Sequence, residues 1–198
     1  MSKISLDLIQ TLRERTGLGM MDCKRALEAS GGDIEEAIQE LRKKGAAVAA
    51  KRSGKETAEG LVYAYIHPGD QLGVLVELNC ETDFVARTEA IREFAKDVAM
   101  HIAAIKPLYL APEDVDPKFL EHEKMIIQEQ LAGSGKPEKI VSQIVEGKVT
   151  KLYEEVCLLK QPFIKNDQNT VEEQLKELIA KTGENIRIKR FVRFEVGV

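Results

Sequence analysis

The chain offers three histidines, three cysteines and several Gly-Lys pairs, the residue types from which catalytic, metal and phosphate sites are built. None falls at the spacing those chemistries need. His67, His101 and His122 stand at no ligand spacing with one another or with Cys23, Cys80 and Cys157. The cysteines are odd in number and far apart, so they make neither a disulfide framework nor a metal knuckle, and they point to a reduced, cytoplasmic protein. Gly54-Lys55, Gly135-Lys136 and Gly147-Lys148 are followed by Glu56, Pro137 and Val149, where a phosphate loop needs Ser or Thr, and no glycine stands at the required distance upstream. Gly17-Leu18-Gly19 lacks the third glycine of a dinucleotide loop and follows a helical pattern, so it reads as a turn. A Ser-His-Asp or Cys-His set could still assemble in space, but no nucleophile elbow or cysteine signature is present. The expectation is a protein that is not an enzyme and uses no cofactor and no metal. Among the histidines, His122 lies between two glutamates on a solvated face, His101 borders an apolar helical stripe, and His67 sits in a turn cluster as the most exposed of the three.

Two other features could do binding instead of chemistry. Arg42, Lys43, Lys44, Lys51, Arg52 and Lys55 form a basic cluster that reads as a solvated helix end, a surface for an acidic protein, or, least well, an RNA contact. Against RNA stand a net charge of -4, 5% aromatic residues and no Trp on which bases could stack. The second feature is Thr82-Asp83-Phe84, where a strand-like run meets a helix-like one. Thr82 can cap the turn, Asp83 suits a helix N-terminus, and Phe84 is a large apolar residue in polar company. Either Phe84 staples the junction onto the core, or it projects as an anchor into a partner's pocket.

The elements that must position these residues follow from periodicity and punctuation. With 198 residues, 43% of them hydrophobic and 31% charged, the chain can form one or two packed domains and is neither disordered nor low-complexity. No apolar run reaches the ~20 residues that span a bilayer, and the first residues lack a secretory pattern. Three short helices open the chain. Ser5 caps the first, Gly31-Gly32 ends the second, and Asp33 with Glu36 starts the third, which carries Ile34, Ala37, Ile38 and Leu41. Gly45 follows the basic turn of the third helix, and the Ala- and Lys-rich stretch beyond reads as a helical extension running into a linker.

From Gly60 the pattern changes to strands. Leu61 to His67 and Leu72 to Asn79 flank a turn cluster and predict a hairpin, and Ile186 to Val196 predicts a last strand interrupted by Arg190. Between them lie four helical patterns, one with Asp116-Pro117 at its start, ending at Gly133, and one with Thr170 and Glu173 as a capping box, ending at Gly183. The fold class is therefore α+β, an N-terminal three-helix bundle followed by a core with a three-stranded antiparallel sheet and several helices. The expected division is residues 1–52, a linker at 53–59, and a core at 60–198. Opposite Leu72, Val74 and Val76 the sheet is expected to show Leu61, Tyr63, Tyr65, Leu75 and Phe191. Either intrachain helices cover that second face or a second copy does.

The stretch LRERTGLGMMDCKRAL from Leu12 and the stretch ELNCETDFVAR from Glu77 resemble the two sequence signatures of the bacterial elongation factor Ts family. Further matches, SGKPEKIV from Ser134, VEGKV from Val145, QPFI from Gln161 and IRIKRFVRFEVG from Ile186, run in family order over nearly the whole chain. The length resembles the short form of the family, with one core subdomain where longer members have two and a terminal module. What the resemblance implies is a guanine nucleotide exchange factor that binds elongation factor Tu, GDP-bound and nucleotide-free, and promotes GDP release during translation elongation. It further implies that the N-terminal bundle is similar to ubiquitin-associated (UBA) domains and docks on the GTPase's nucleotide-binding domain. Lys24 matches a contacting lysine there, and Arg52 stands where the family often has lysine. The family's Asp-Phe pair maps onto Asp83 and Phe84, beside Thr82, with the phenyl ring inserting near the partner's switch region. A family glycine maps onto Gly183, although Thr182 stands where isoleucine is common, and His67 resembles a hairpin histidine that long forms carry in their second subdomain. In a short form a second protomer must supply that half, so a homodimer is expected, noncovalent because no cysteine lies in the last strand. Neither nucleic acid nor a membrane is an expected partner. The rival reading is a UBA-like adaptor or RNA-binding module without exchange activity.

Overall fold

The computed structural model describes residues 4–132 and 137–197. The expected helix stop at Gly133, the Gly135-Lys136 pair and the start of the SGKPEKIV match lie outside them.

The opening helices form where their caps put them. In α1 (Leu6–Thr16) the Leu8 amide donates to Ser5 Oγ at 3.2 Å, and Gly17 ends the helix at φ 65. Helix α2 spans Met20–Ala29, and α3 starts at Ile34, where the Glu36 amide donates to Asp33 Oδ1 at 2.8 Å. The three pack on Ile9, Leu12, Cys23, Ala26, Leu27, Ala37 and Leu41, a small core assembled from the apolar stripe of each helix. Gly45 does not end α3, which runs unbroken to Arg52. Gly45 is buried there, and a Cβ on it would stand 3.1 Å from Cβ of Ala180, so the missing side chain lets helix α8 (Val171–Thr182) approach. The segment after α3 is tied down on both sides of Glu56. Asn185 Nδ2 donates to the Lys55 carbonyl at 2.8 Å, and Arg187 donates to the Thr57 hydroxyl through Nε at 2.9 Å and Nη2 at 2.6 Å.

Strands β1 (Glu59–Ile66), β2 (Leu72–Cys80) and β5 (Ile186–Glu195) form one sheet with β2 in the centre. The antiparallel hairpin closes where the His67 amide donates to the Leu72 carbonyl at 2.8 Å, and the Val196 amide donates to the Gln71 carbonyl at 2.9 Å. This turn register corrects the expected outer face. It places Ile66 opposite Gly73, with Ile66 Cδ1 3.1 Å from where a Gly73 side chain would begin, so Ile66 shares a side with Leu75. Leu61, Tyr63 and Tyr65 alternate onto the other side, with Val74 and Val76, and are half-buried. In β5 the inward phase slips by one residue. Ile186 and Ile188 are buried, Lys189 and Arg190 are both exposed, and after them Phe191 turns inward while Val192 and Phe194 turn out.

The chain gathers into two compact units. One collects the N-terminal helices up to Val62, Glu77–Ala95 and Glu173–Lys189, and the other collects Tyr63–Val76, Lys96–Glu172 and the residues from Arg190. Helix α4 (Asp83–Ala86) is a single turn, and α5 spans Glu89–Ile105. In the second unit, α6 (Pro117–Leu131) starts on the Asp116 cap and packs on α7 (Glu138–Val156) through Ile127, Val145 and Val149. A short hairpin, β3 (Pro162–Phe163) with β4 (Asn166–Thr170), was not legible as strands, because NDQNT carries no apolar alternation. His101 is fully buried and satisfied. Its Nδ1 accepts from the Ile164 amide at 3.3 Å and its Nε2 meets Gln161 Oε1 at 2.8 Å. The amide fixes Nδ1 as acceptor, so Nε2 carries the proton, and burial holds the ring's pKa below 6.5.

Candidate partner-binding site

Between the last residue of β2, Cys80, and the first of α4, Asp83, only Glu81 and Thr82 turn the chain. Thr82 is the N-cap, extended at φ -129, and its Oγ1 accepts from the Val85 amide at 3.4 Å. Beneath this turn Ala86 and Cys80 are buried. Phe84, in the middle of it, is 81% exposed, so it does not staple the junction onto the core. Asp83 beside it forms an exposed ion pair with Arg87 at 2.9 Å, a contact worth only a few tenths of a kcal/mol (about 0.3–0.5).

Two carboxylates hold the turn from below. Glu184 accepts from the Thr82 hydroxyl at Oε1, 2.7 Å, and from the Thr82 amide at Oε2, 3.1 Å. Glu81 accepts from the Asn185 amide at 2.6 Å and pairs with Arg52, Nη1 to Oε2, at 3.2 Å. Asn185, nearly fully buried, passes the network on to the carbonyls of Ser53 and Lys55. Gly183 makes this possible. It ends α8 at φ 73, a conformation that costs a side-chain-bearing residue about 1–2 kcal/mol, and its amide donates to the Ile179 carbonyl at 2.8 Å. The chain thereby reverses so that Glu184 and Asn185 meet the β2–α4 junction. The Cys80 thiol donates to the Thr82 carbonyl at 3.1 Å. Burial, with the nearby Glu184 charge, pushes its pKa up, so it is an unreactive structural thiol.

Of the residues singled out in the sequence, Thr82, Asp83, Phe84, Gly183 and Arg52 come together here. Lys24 stands apart on α2, exposed, with Glu28 3.7 Å away. His67 belongs to the other compact unit, at the β1–β2 turn, where its Nδ1 lies 2.9 Å from the Tyr65 hydroxyl. Glu184 and Asn185 had no sequence signal as site residues, and Glu81 stood only inside the ELNCETDFVAR match, because the bonds from Thr82 to Glu184 and from Glu81 to Asn185 join positions 102 and 104 apart. The only local hint is that two of them follow a helix-ending glycine. Among the described residues no group of three or more His, Cys, Asp or Glu could hold a metal ion. What the arrangement offers is an apolar side chain presented to solvent on a braced turn.

Comparison with known proteins bears on which protein. Residues 16–198 match the family model described as Elongation factor TS. The chain is 55% identical to elongation factor Ts of Desulforamulus reducens over 197 residues, covering 100% of this chain and 91% of that protein. It is 56% identical to that of Carboxydothermus hydrogenoformans over 194 residues, 98% and 89% of the two chains, and 54% identical to that of Desulfosudis oleivorans over 197 residues, 100% of each.

Proposed function

The chain belongs to the elongation factor Ts family, and from that premise we propose that it works as a guanine nucleotide exchange factor through the Thr82-Asp83-Phe84 turn. It binds elongation factor Tu carrying GDP and promotes release of the nucleotide in translation elongation. The observation that carries the role of this turn is the 81% exposure of Phe84 on a turn tied down by hydrogen bonds. A large apolar side chain is left in water only at some cost, and here the turn that carries it is already held, so less backbone ordering entropy is lost when a partner's pocket takes it.

The exchange itself calls for no bond to be made or broken by this chain. A GTPase holds GDP through Mg²⁺ and through backbone donors around the phosphates. A ring wedged beside those elements shifts them and weakens the hold. The coupling is reciprocal, so nucleotide binding weakens the factor's grip by the same ratio and GTP completes the cycle. In this reading the N-terminal helices, as a UBA-like bundle within residues 1–52, dock on the nucleotide-binding domain with Lys24 as a contact. Arg52 and Gly183 border the turn, and His67 makes a separate contact. The adaptor or RNA alternative is not favoured by the family match. The basic cluster it would use spends Arg42 on Glu177, Lys44 on Asp22 and Arg52 on Glu81.

The working form in this proposal is a noncovalent homodimer in the cytoplasm. The outward side of the sheet in the second unit presents Ala64, Ile66, Leu75, Val192 and Phe194, all exposed and none charged, which suits a second copy of the same face better than a polar partner. Cys23, Cys80 and Cys157 are all buried, which leaves no thiol among the described residues for a covalent link. Among those residues no helix is long and apolar enough to cross a membrane. The test of the function is release of fluorescent GDP from elongation factor Tu in stopped flow. Acceleration by micromolar chain supports the proposal, and a rate unchanged from the spontaneous one contradicts it.

A further inference from the structure

We propose that Glu184 is a positioning residue for exchange, acting through Thr82 to hold Phe84 ready for its pocket. The inference rests on the exchange reading above. Its basis is a two-point grip: one carboxylate oxygen takes the Thr82 hydroxyl at 2.7 Å and the other takes the Thr82 amide at 3.1 Å. With both groups fixed, the Thr82 side chain has one orientation, the one in which its oxygen also caps the Val85 amide. Helix α4 is a single turn and cannot maintain itself by propagation, so its geometry depends on that cap.

Glu184 is itself well anchored. Gly183 before it is left-handed, Asn185 after it is buried, and its own amide donates to Thr182 Oγ1 at 3.5 Å. Among the described residues its carboxylate is engaged by Thr82 and by no Lys or Arg, whereas Glu81 nearby pairs with Arg52. A half-buried carboxylate held by two donors of one residue is specialised for orienting that residue, and its charge-assisted bonds belong to the stronger class. Glutamine weakens this grip. With its oxygen on the Thr82 amide, its NH₂ can only donate to Thr82 Oγ1, which reverses that bond, removes the charge and leaves the hydroxyl proton without its acceptor.

The experiment measures GDP release from elongation factor Tu against factor concentration, for wild type, Glu184→Gln, Thr82→Val, Thr82→Ser and Phe84→Ala, with a melting curve for each. Glu184→Gln and Thr82→Val are expected to lower the maximal release rate about tenfold. Thr82→Ser, which keeps the hydroxyl, should recover most of the rate that Thr82→Val loses. Because Glu184 acts through Phe84, adding Glu184→Gln to Phe84→Ala should cost no further rate, although it lowers the melting temperature in both backgrounds. Full additivity of the rate losses, or a Glu184→Gln chain as fast as wild type, overturns the role. If Glu184→Gln fails to fold, the Thr82→Val and Thr82→Ser pair decides, and equal rates for those two overturn it. A wild-type chain that leaves release at its spontaneous rate overturns the exchange reading and this role with it.

Discussion

A buried phenyl group is worth about 1.5–3 kcal/mol over an exposed one, and Phe84 forgoes that gain while Thr82 is held by Glu184 and Asp83 by Arg87. Nothing in the residue types around it dictates this. Thr-Asp-Phe is compatible with an inward staple, and only the turn geometry set by Glu184 and Glu81 puts the ring in water. His101 is the opposite case, a polar group placed wholly inside. With its proton on Nε2 and Nδ1 accepting from an amide, it stays neutral in the fold, and burial holds its folded pKa below the 6.5 of an unfolded chain. The unfolded chain therefore takes up the proton first as pH falls. The stabilising contribution is present above pH 6.5 and is lost as the pH drops below that value toward the folded pKa. Urea unfolding should accordingly show lower stability at pH 5.5 than at pH 7.5. His101→Gln should be less stable at pH 7.5 and show a smaller change between the two, and an equal change in both chains would contradict the assignment.

At the scale of elements, what was legible is what neighbours decide. Ser5, Asp33 and Asp116 cap helices through amides two or three residues away, so their patterns could be read directly. What was hidden depends on distant partners. Gly45 looks like a helix stop, yet it is the close approach of α3 to α8 at Ala180. Filling that space with Gly45→Leu should destabilise the chain by about 1–3 kcal/mol through overpacking, despite leucine's better helix propensity. A thermal melt at or above the wild-type midpoint would show that the two helices have room. The slip in β5 is hidden for a similar reason. Lys189 and Arg190 both face water, and the one-residue change of phase sends Val192 and Phe194 outward where strict alternation with Ile186 and Ile188 would have kept them in. The β3–β4 pair was invisible because its polar residues are strands only by virtue of each other.

For the whole molecule, the absence of recognisable chemistry in the sequence agrees with a factor whose substrate is another protein's conformation. The outer sheet face proposed to seat a second copy gives one test at this scale. Phe194 is 66% exposed on that face, so Phe194→Glu should leave the monomer fold intact and shift sedimentation at low micromolar concentration from dimer to monomer. A wild-type chain that already sediments as a monomer would remove the dimer from the account. The central claim is that Phe84 drives exchange, and stopped-flow release of fluorescent GDP from elongation factor Tu tests it most directly when wild type and Phe84→Ala are compared. Because the ring contributes little to the core, both chains should melt alike. The loss of a buried aromatic anchor at an interface, about 2 kcal/mol or more, predicts a stimulated release roughly 30-fold weaker for Phe84→Ala. Release by the variant at the wild-type rate would contradict the account.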